Sequence, residues 1–145
     1  MSGKISAPKL PDPKLPARLP LAGWEKSRRL LKHADFRKVY DGGRRQFTGN
    51  MTVFFLRRAD ESQQSGARVG FTVGKVLGDA VERNRIKRRM REAVRLSFAA
   101  CEGPVDVIFN PRKSVLAMPF AELRSEVTRG LRLATQRARV AESQK

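Results

Sequence analysis

The chain is poor in the residues from which most protein-borne chemistry is built. Its 145 residues include a single cysteine, Cys101, and a single histidine, His33. One cysteine excludes an intrachain disulfide framework and any cysteine-cluster zinc site, and one histidine leaves too few ligands for a structural metal. Cys–His nucleophilic catalysis would need those two side chains to meet beside an orienting group, and nothing in the sequence argues for that. No apolar run approaches the roughly eighteen residues of a membrane span, so no membrane partner is expected. The amino terminus lacks the apolar core of a signal peptide, which makes the cytoplasm the expected location. Acids are scarce as well: 14 Asp and Glu stand against 31 Lys and Arg, a formal net charge of +17. Such a surplus points first to nucleic acid, although ribosomal, chromatin, RNA-processing and basic membrane-surface proteins share it. Hydrophobic residues still make up 40% of the chain, enough for a real core.

The positive charge is densest in residues 81–95, where seven of the thirteen residues from Arg83 to Arg95 are basic. Apolar residues recur through the same stretch at helical spacing. At 100° per residue Ile86, Met90, Ala93 and Val94 share one sector, while Arg83, Lys87, Arg91, Asn84, Arg95 and Arg88 follow one another across an adjoining arc. One face packs and the other carries charge. Only Glu92 offsets those seven cations, and like charges at i and i+4 repel by a few tenths of a kcal/mol per pair. A partner must therefore supply negative charge. Arginine outnumbers lysine here, and its planar fork pairs bidentately with phosphate or a guanine edge, which favours nucleic acid over a membrane surface.

Prolines at 8, 11, 13, 16 and 20, interleaved with Lys9, Lys14 and Arg18, prevent helix and sheet alike. Residues 1–24 are therefore expected to be a flexible basic arm, 25–135 the folded RNA-binding domain and 136–145 a flexible tail. A short helix is expected over 34–41, stopped by Gly42 and Gly43. Residues 51–56 and 68–73 read as strands joined across the polar 59–66 into a hairpin. Asp79 is a candidate N-cap, with Glu82 three residues on, for a basic helix running to about Ala100. A buried strand over 105–109 follows, then a last helix opened by Pro119 and marked by Phe120, Leu123, Val127, Leu131 and Ala134. Gly130 inside it costs about 1 kcal/mol relative to alanine. The expected order is helix, strand, strand, helix, strand, helix: an α+β two-layer sandwich of a small sheet against helices.

The 28 residues from Arg68 to Arg95, RVGFTVGKVLGDAVERNRIKRRMREAVR, closely resemble the protein subunit of bacterial ribonuclease P. The Arg83-Asn84-Arg85 core, its continuation through Lys87, Arg88 and Arg91, and the preceding strand and turn carry the likeness. It extends upstream through Arg29-Leu30 and Asp35 to Tyr40, and downstream through Asp106 to Arg112 and Phe120 to Leu123.

The resemblance implies a left-handed βαβ crossover through the basic helix, an exception to a rule obeyed in about 98% of cases. It also implies a small partner of a large catalytic RNA, the two together removing the 5′ leader of precursor tRNA, with one protein per RNA. Magnesium in that holoenzyme would be held mainly by the RNA, with no cofactor bound by the protein alone and no catalytic residue on this chain. By position, Arg83, Asn84, Arg85, Lys87, Arg88 and Arg91 would dock on the catalytic RNA. Phe36, Tyr40, Phe54 and Lys75 would form a cleft for the single-stranded leader, the rings stacking on splayed bases. For aromatics in amphipathic elements plain core packing is the competing reading. Arg68, Arg95 and Arg112 are further candidate RNA contacts. Val76 stands where the family often has a second lysine, and Pro111 where a small residue is usual.

Two other classes compete. An asparagine among arginines also occurs in zipper-type DNA-binding helices, but Gly103-Pro104 stops this helix and no leucine heptads follow. A ribosomal or RNA-chaperone protein without an enzymatic partner would share the charge and fold.

Overall fold

The computed structural model describes residues 24, 28–30, 32–58 and 66–143. The arm expected over 1–24 lies almost wholly outside them. Helix α1 (His33–Gly42) is followed by strands β1 (Arg44–Phe47), β2 (Met51–Arg57) and β3 (Arg68–Phe71). Helix α2 (Ala80–Ser97) then leads to strand β4 (Val105–Pro111) and helix α3 (Phe120–Ser143). The strands form one sheet in the order β1-β2-β4-β3.

The chain is α+β as expected, and two details of the expected order change. An extra strand, β1, pairs antiparallel with β2, Arg45 opposite Phe54 and Phe47 opposite Thr52. In addition, β2 and β3 are not a hairpin, because β4 lies between them, antiparallel to β2 and parallel to β3. Alternation identifies a strand without naming its partner, and here the parallel pair is made by the return through α2. Every residue of β4 but Asn110 is buried, as suits a central strand covered on both sides.

Pleating divides β2 cleanly. Met51, Val53 and Phe55 enter the main core with Ile86, Met90 and Val94 of α2 and Leu123, Val127 and Leu131 of α3. Its other face meets α1 in a smaller cluster, where Leu30, Val39 and Ile108 are buried and Phe36, Phe54 and Leu56 pack against them. The sheet against α2 and α3 is the main sandwich, and α1 covers part of the opposite face. Gly130 explains itself in this packing: a Cβ there would lie 2.9 Å from Phe109 Cε1 and 3.1 Å from Val53 Cγ2. The close approach of α3 to the sheet outweighs the helical penalty.

The carboxy-terminal boundary also moves. Residues 136–143, expected as tail, continue α3 to Ser143, and Ala138 is buried with the main core. The apolar seam of Val127, Leu131 and Ala134 simply runs one turn further. At the other end Trp24 is buried, its indole N–H donating to the Val69 carbonyl at 3.2 Å.

Candidate nucleic-acid interface

Helix α2 begins with the capping box read from the sequence. The Asp79 carboxylate accepts from the Glu82 amide at 2.8 Å, and the Glu82 carboxylate accepts from the Asp79 amide at 3.2 Å. These bonds fix the register that turns Ile86, Met90, Ala93 and Val94 into the core. Asn84, Arg85, Arg88 and Arg91 then stand exposed, with Arg83 and Lys87 half-buried at the margin. Arg83 donates through Nε to the Gly78 carbonyl at 3.2 Å, which steadies the stem and leaves the charge in place. Among the described residues none of Arg83, Arg85, Lys87, Arg88 and Arg91 forms an ion pair; the acids on the helix pair elsewhere, Glu82 with Lys113 and Glu92 with Arg95.

Two cations of the helix are differently placed. Arg89 turns inward, donating to the Met118 carbonyl with its guanidinium 6.0 Å from the centre of the Phe120 ring. It joins α2 to the start of α3. Arg95 is exposed but donates to Glu92 at 3.1 Å, and this hydrogen bond raises its pKa further above the ordinary arginine value.

The second surface lies on the α1 face of the sheet. Phe36 and Tyr40 stand one helical turn apart with ring centres 6.4 Å apart, and Tyr40 meets Phe54 edge-on at 4.8 Å. Phe36 reaches the sheet because position 70 is glycine: a Cβ there would come within 3.0 Å of its Cζ. Tyr40 is oriented by its hydroxyl, which donates to Asn110 Oδ1 at 3.0 Å and lies 3.3 Å from Thr72 Oγ1. Phe36 and Phe54 are half-buried and Tyr40 is 36% exposed, so the three rings pack on one side and present edges and faces on the other. Phe36 and Phe54 pack against the smaller core cluster, and Tyr40 stays partly exposed beside them. Thr72 leads within three residues to exposed Lys75, and four residues beyond that to the Asp79 cap, so one short segment connects the aromatic surface to the basic helix.

Arg68, expected as an RNA contact, is paired with acids of the protein itself. Its Nε and Nη2 donate to the two oxygens of Asp106 at 3.0 and 2.8 Å, and Nη1 reaches Asp35 at 3.3 Å. Strand register sets this, since Arg68 sits directly beside Asp106. Arg112 is exposed, as an RNA contact would have to be, and its guanidinium lies 5.7 Å from the centre of the Phe47 ring. Phe47 and Arg45 were not anticipated. Arg-Arg-Gln-Phe has no apolar alternation, and its only strand signal is the pair of turns that bracket it, Gly42-Gly43 and Thr48-Gly49-Asn50.

A small mixed α+β sheet thus carries a capped cationic helix on one side and an aromatic cleft on the other. Comparison with known proteins gives the family. Residues 24–135 match the family model described as Ribonuclease P. A ribonuclease P protein component of Finegoldia magna is 33% identical over 113 residues, covering 78% of this chain and 96% of that one. Another from Symbiobacterium thermophilum is 41% identical over 105 residues, covering 71% and 87%. The solved ribonuclease P protein of Staphylococcus aureus superposes with a TM-score of 0.62 at 28% identity, over 75% of this chain and 96% of that chain. The Thermotoga maritima ribonuclease P protein has the same fold, with a TM-score of 0.62 at 24% identity, over 72% and 94%. The chain belongs to the ribonuclease P protein family.

Proposed function

We propose that this chain binds the catalytic RNA of a ribonuclease P holoenzyme through α2 and the 5′ leader of precursor tRNA through the α1-face cleft, one protein per RNA, in the cytoplasm. The observation that carries this reading is the row Arg83, Arg85, Lys87, Arg88 and Arg91, which forms no ion pair among the described residues although acids stand on the same helix. Held apart by a rigid, capped helix, these cations match regularly spaced phosphates, and relief of their mutual repulsion adds to binding. The cleft supplies stacking, which tolerates any base and suits leaders of varied sequence.

Hydrolysis belongs to the RNA. Several of the described carboxylates are otherwise engaged: Asp106 and Asp35 by Arg68, Glu126 by Thr48 and Asn50, and Glu82 by its capping bond. Among the described residues no three His, Cys, Asp or Glu side chains form a cluster that could hold a metal. The described residues do not assemble a magnesium site, and on this reading the protein's contribution is positioning and electrostatics.

The experiment is reconstitution with a bacterial ribonuclease P RNA, comparing wild type and Phe54→Leu on precursor and mature tRNA. Cleavage should require the RNA. Phe54→Leu should weaken precursor binding about five-fold to a hundred-fold and leave mature tRNA, which has no leader, nearly unchanged. Site-specific cleavage by the protein alone, or equal losses on both substrates, would overturn the reading. RNA recovered with the protein from its native host separates this from a ribosomal role: one structured species of a few hundred nucleotides, against ribosomal RNA.

A further inference from the structure

Phe47 is the last residue of the edge strand β1, and 55% of it is exposed. A lone exposed phenylalanine needs no explanation. This one has two guanidinium groups at its ring, Arg45 at 5.9 Å and Arg112 at 5.7 Å from the ring centre. Arg45 comes from the same strand two residues back, and Arg112 follows the end of β4 on the far side of β2. Neither has an ion pair among the described residues. Two like charges thus flank one aromatic ring with no ion-paired acid among the described residues.

The ring also lies on the same face as the cleft. Phe47 is opposite Thr52, Thr52 is opposite Asn110, and Asn110 accepts from the Tyr40 hydroxyl. Phe54, opposite Arg45, is the diagonal neighbour of Phe47, a relation that brings Cα atoms within roughly 7–8 Å. The rings therefore form a row, Phe36, Tyr40, Phe54, Phe47, from α1 to the sheet edge.

The edge is held rigidly. Buried Glu126 of α3 accepts from Thr48 Oγ1 at 2.6 Å, from the Asn50 amide at 2.8 Å and from Asn50 Nδ2 at 2.9 Å. The Asn50 carbonyl in turn accepts from the Arg112 amide at 2.9 Å. One carboxylate thus anchors the turn that ends β1 and, through Asn50, the backbone that carries Arg112.

We propose that Phe47, Arg45 and Arg112 form an additional nucleotide site, in which a base of single-stranded RNA stacks on the ring while the two guanidinium groups take its flanking phosphates. Continuity with the cleft and charge complementarity commit the occupant to the leader, at a nucleotide beyond those stacked on Tyr40 and Phe54. A base adds a π-face to the ring, its phosphates neutralise the two cations, and the edge is already ordered before binding. The proposal rests on the leader-binding reading of the cleft and extends it by one site.

The test uses the reconstituted holoenzyme and precursors whose leaders lengthen one nucleotide at a time, with abasic substitutions walked along the longest. Wild type should gain affinity at one added position beyond the cleft's reach and lose it when the base there is removed. Phe47→Leu should abolish that step, a loss of about five-fold or more, while matching wild type on the shorter leaders. Phe47→Trp should retain the step, and Arg112→Gln should reduce it and make it less salt-sensitive. Phe47→Leu equal to wild type at every leader length overturns the proposal, and so does an equal loss on mature tRNA. If the cleft reading alone is wrong, Phe54→Leu will behave as wild type throughout. A thermal melt of each variant separates binding from folding.

Discussion

Arg68 and Arg88 carry the same side chain on consecutive elements of the fold, and the structure uses them in opposite ways. Arg68 converges with Arg58 on Asp106, which receives Arg58 Nη1 at 2.6 Å and both Arg68 bonds on side-chain oxygens that are almost fully buried. Asp35 completes the balance. Arg88 stands exposed with no carboxylate partner among the described residues, as do Arg85 and Arg91. The first group ties three neighbouring strands together and has no charge left for a ligand. The second leaves the free protein with mutual repulsion that a bound polyanion would relieve. A net charge of +17 therefore measures nothing local; the position of each acid decides which arginines are available.

The comparison is broken most severely at Asp106. Asp106→Ala would remove the buried carboxylate on which Arg58 and Arg68 converge, and breaking a buried pair of this kind costs about 3–5 kcal/mol. The melting temperature should fall by many degrees, while the salt dependence of RNA binding by the folded fraction stays as in wild type. The pairing raises the pKa of Arg68, chiefly through the hydrogen bond to Asp106. A raised folded-state pKa gives stability that is fully present below the unfolded value, so the Arg68 side contributes undiminished up to the ordinary arginine pKa and is lost only in stronger alkali. An unchanged melt would show that the cluster is not structural.

That cluster also marks where sequence reading stops. The cap and the buried seam of the basic helix were legible, because each of their signals lies within about a turn of the next. The aromatics of the cleft were legible only through the family resemblance, since periodicity assigns Phe36, Tyr40 and Phe54 to packing. The ion pairs of Arg68 escape sequence reading for a different reason: its partner Asp106 is distant in sequence and becomes a neighbour only when β3 docks beside β4. The same long-range pairing hid β4 between β2 and β3, and it hid Phe47, whose meaning depends on Arg112 from another strand's end.

A paired substitution tests the contrast directly. Arg68→Ala should lower the melting temperature and leave the slope of log affinity against log salt unchanged. Arg88→Ala should do the reverse, with the melt within about 0.5 kcal/mol of wild type and the slope flattened by about one unit or less. Binding isotherms at four or five salt concentrations, beside thermal melts, read both. If Arg88→Ala leaves slope and affinity unchanged, the exposed row faces solvent.

The smallest effect is expected where the two kinds of arginine meet. Arg95 lies on the exposed side of α2, as Arg85, Arg88 and Arg91 do, yet it is bonded to Glu92 one turn back, as Arg68 is bonded to its acids. Exposed pairs of this kind contribute little to stability, so Glu92→Gln should barely move the melt. What it changes is availability. With the acid neutralised, Arg95 is free to neutralise a phosphate, and each phosphate so neutralised adds roughly 0.7 to 0.9 to the slope. The variant should bind RNA more tightly at low salt, with a slope steeper by up to that amount, and the gain should vanish in the double variant with Arg95→Ala. A steeper slope carries the RNA footprint to the last turn of α2. An unchanged slope would end it at Arg91 and make the Glu92–Arg95 pair a boundary.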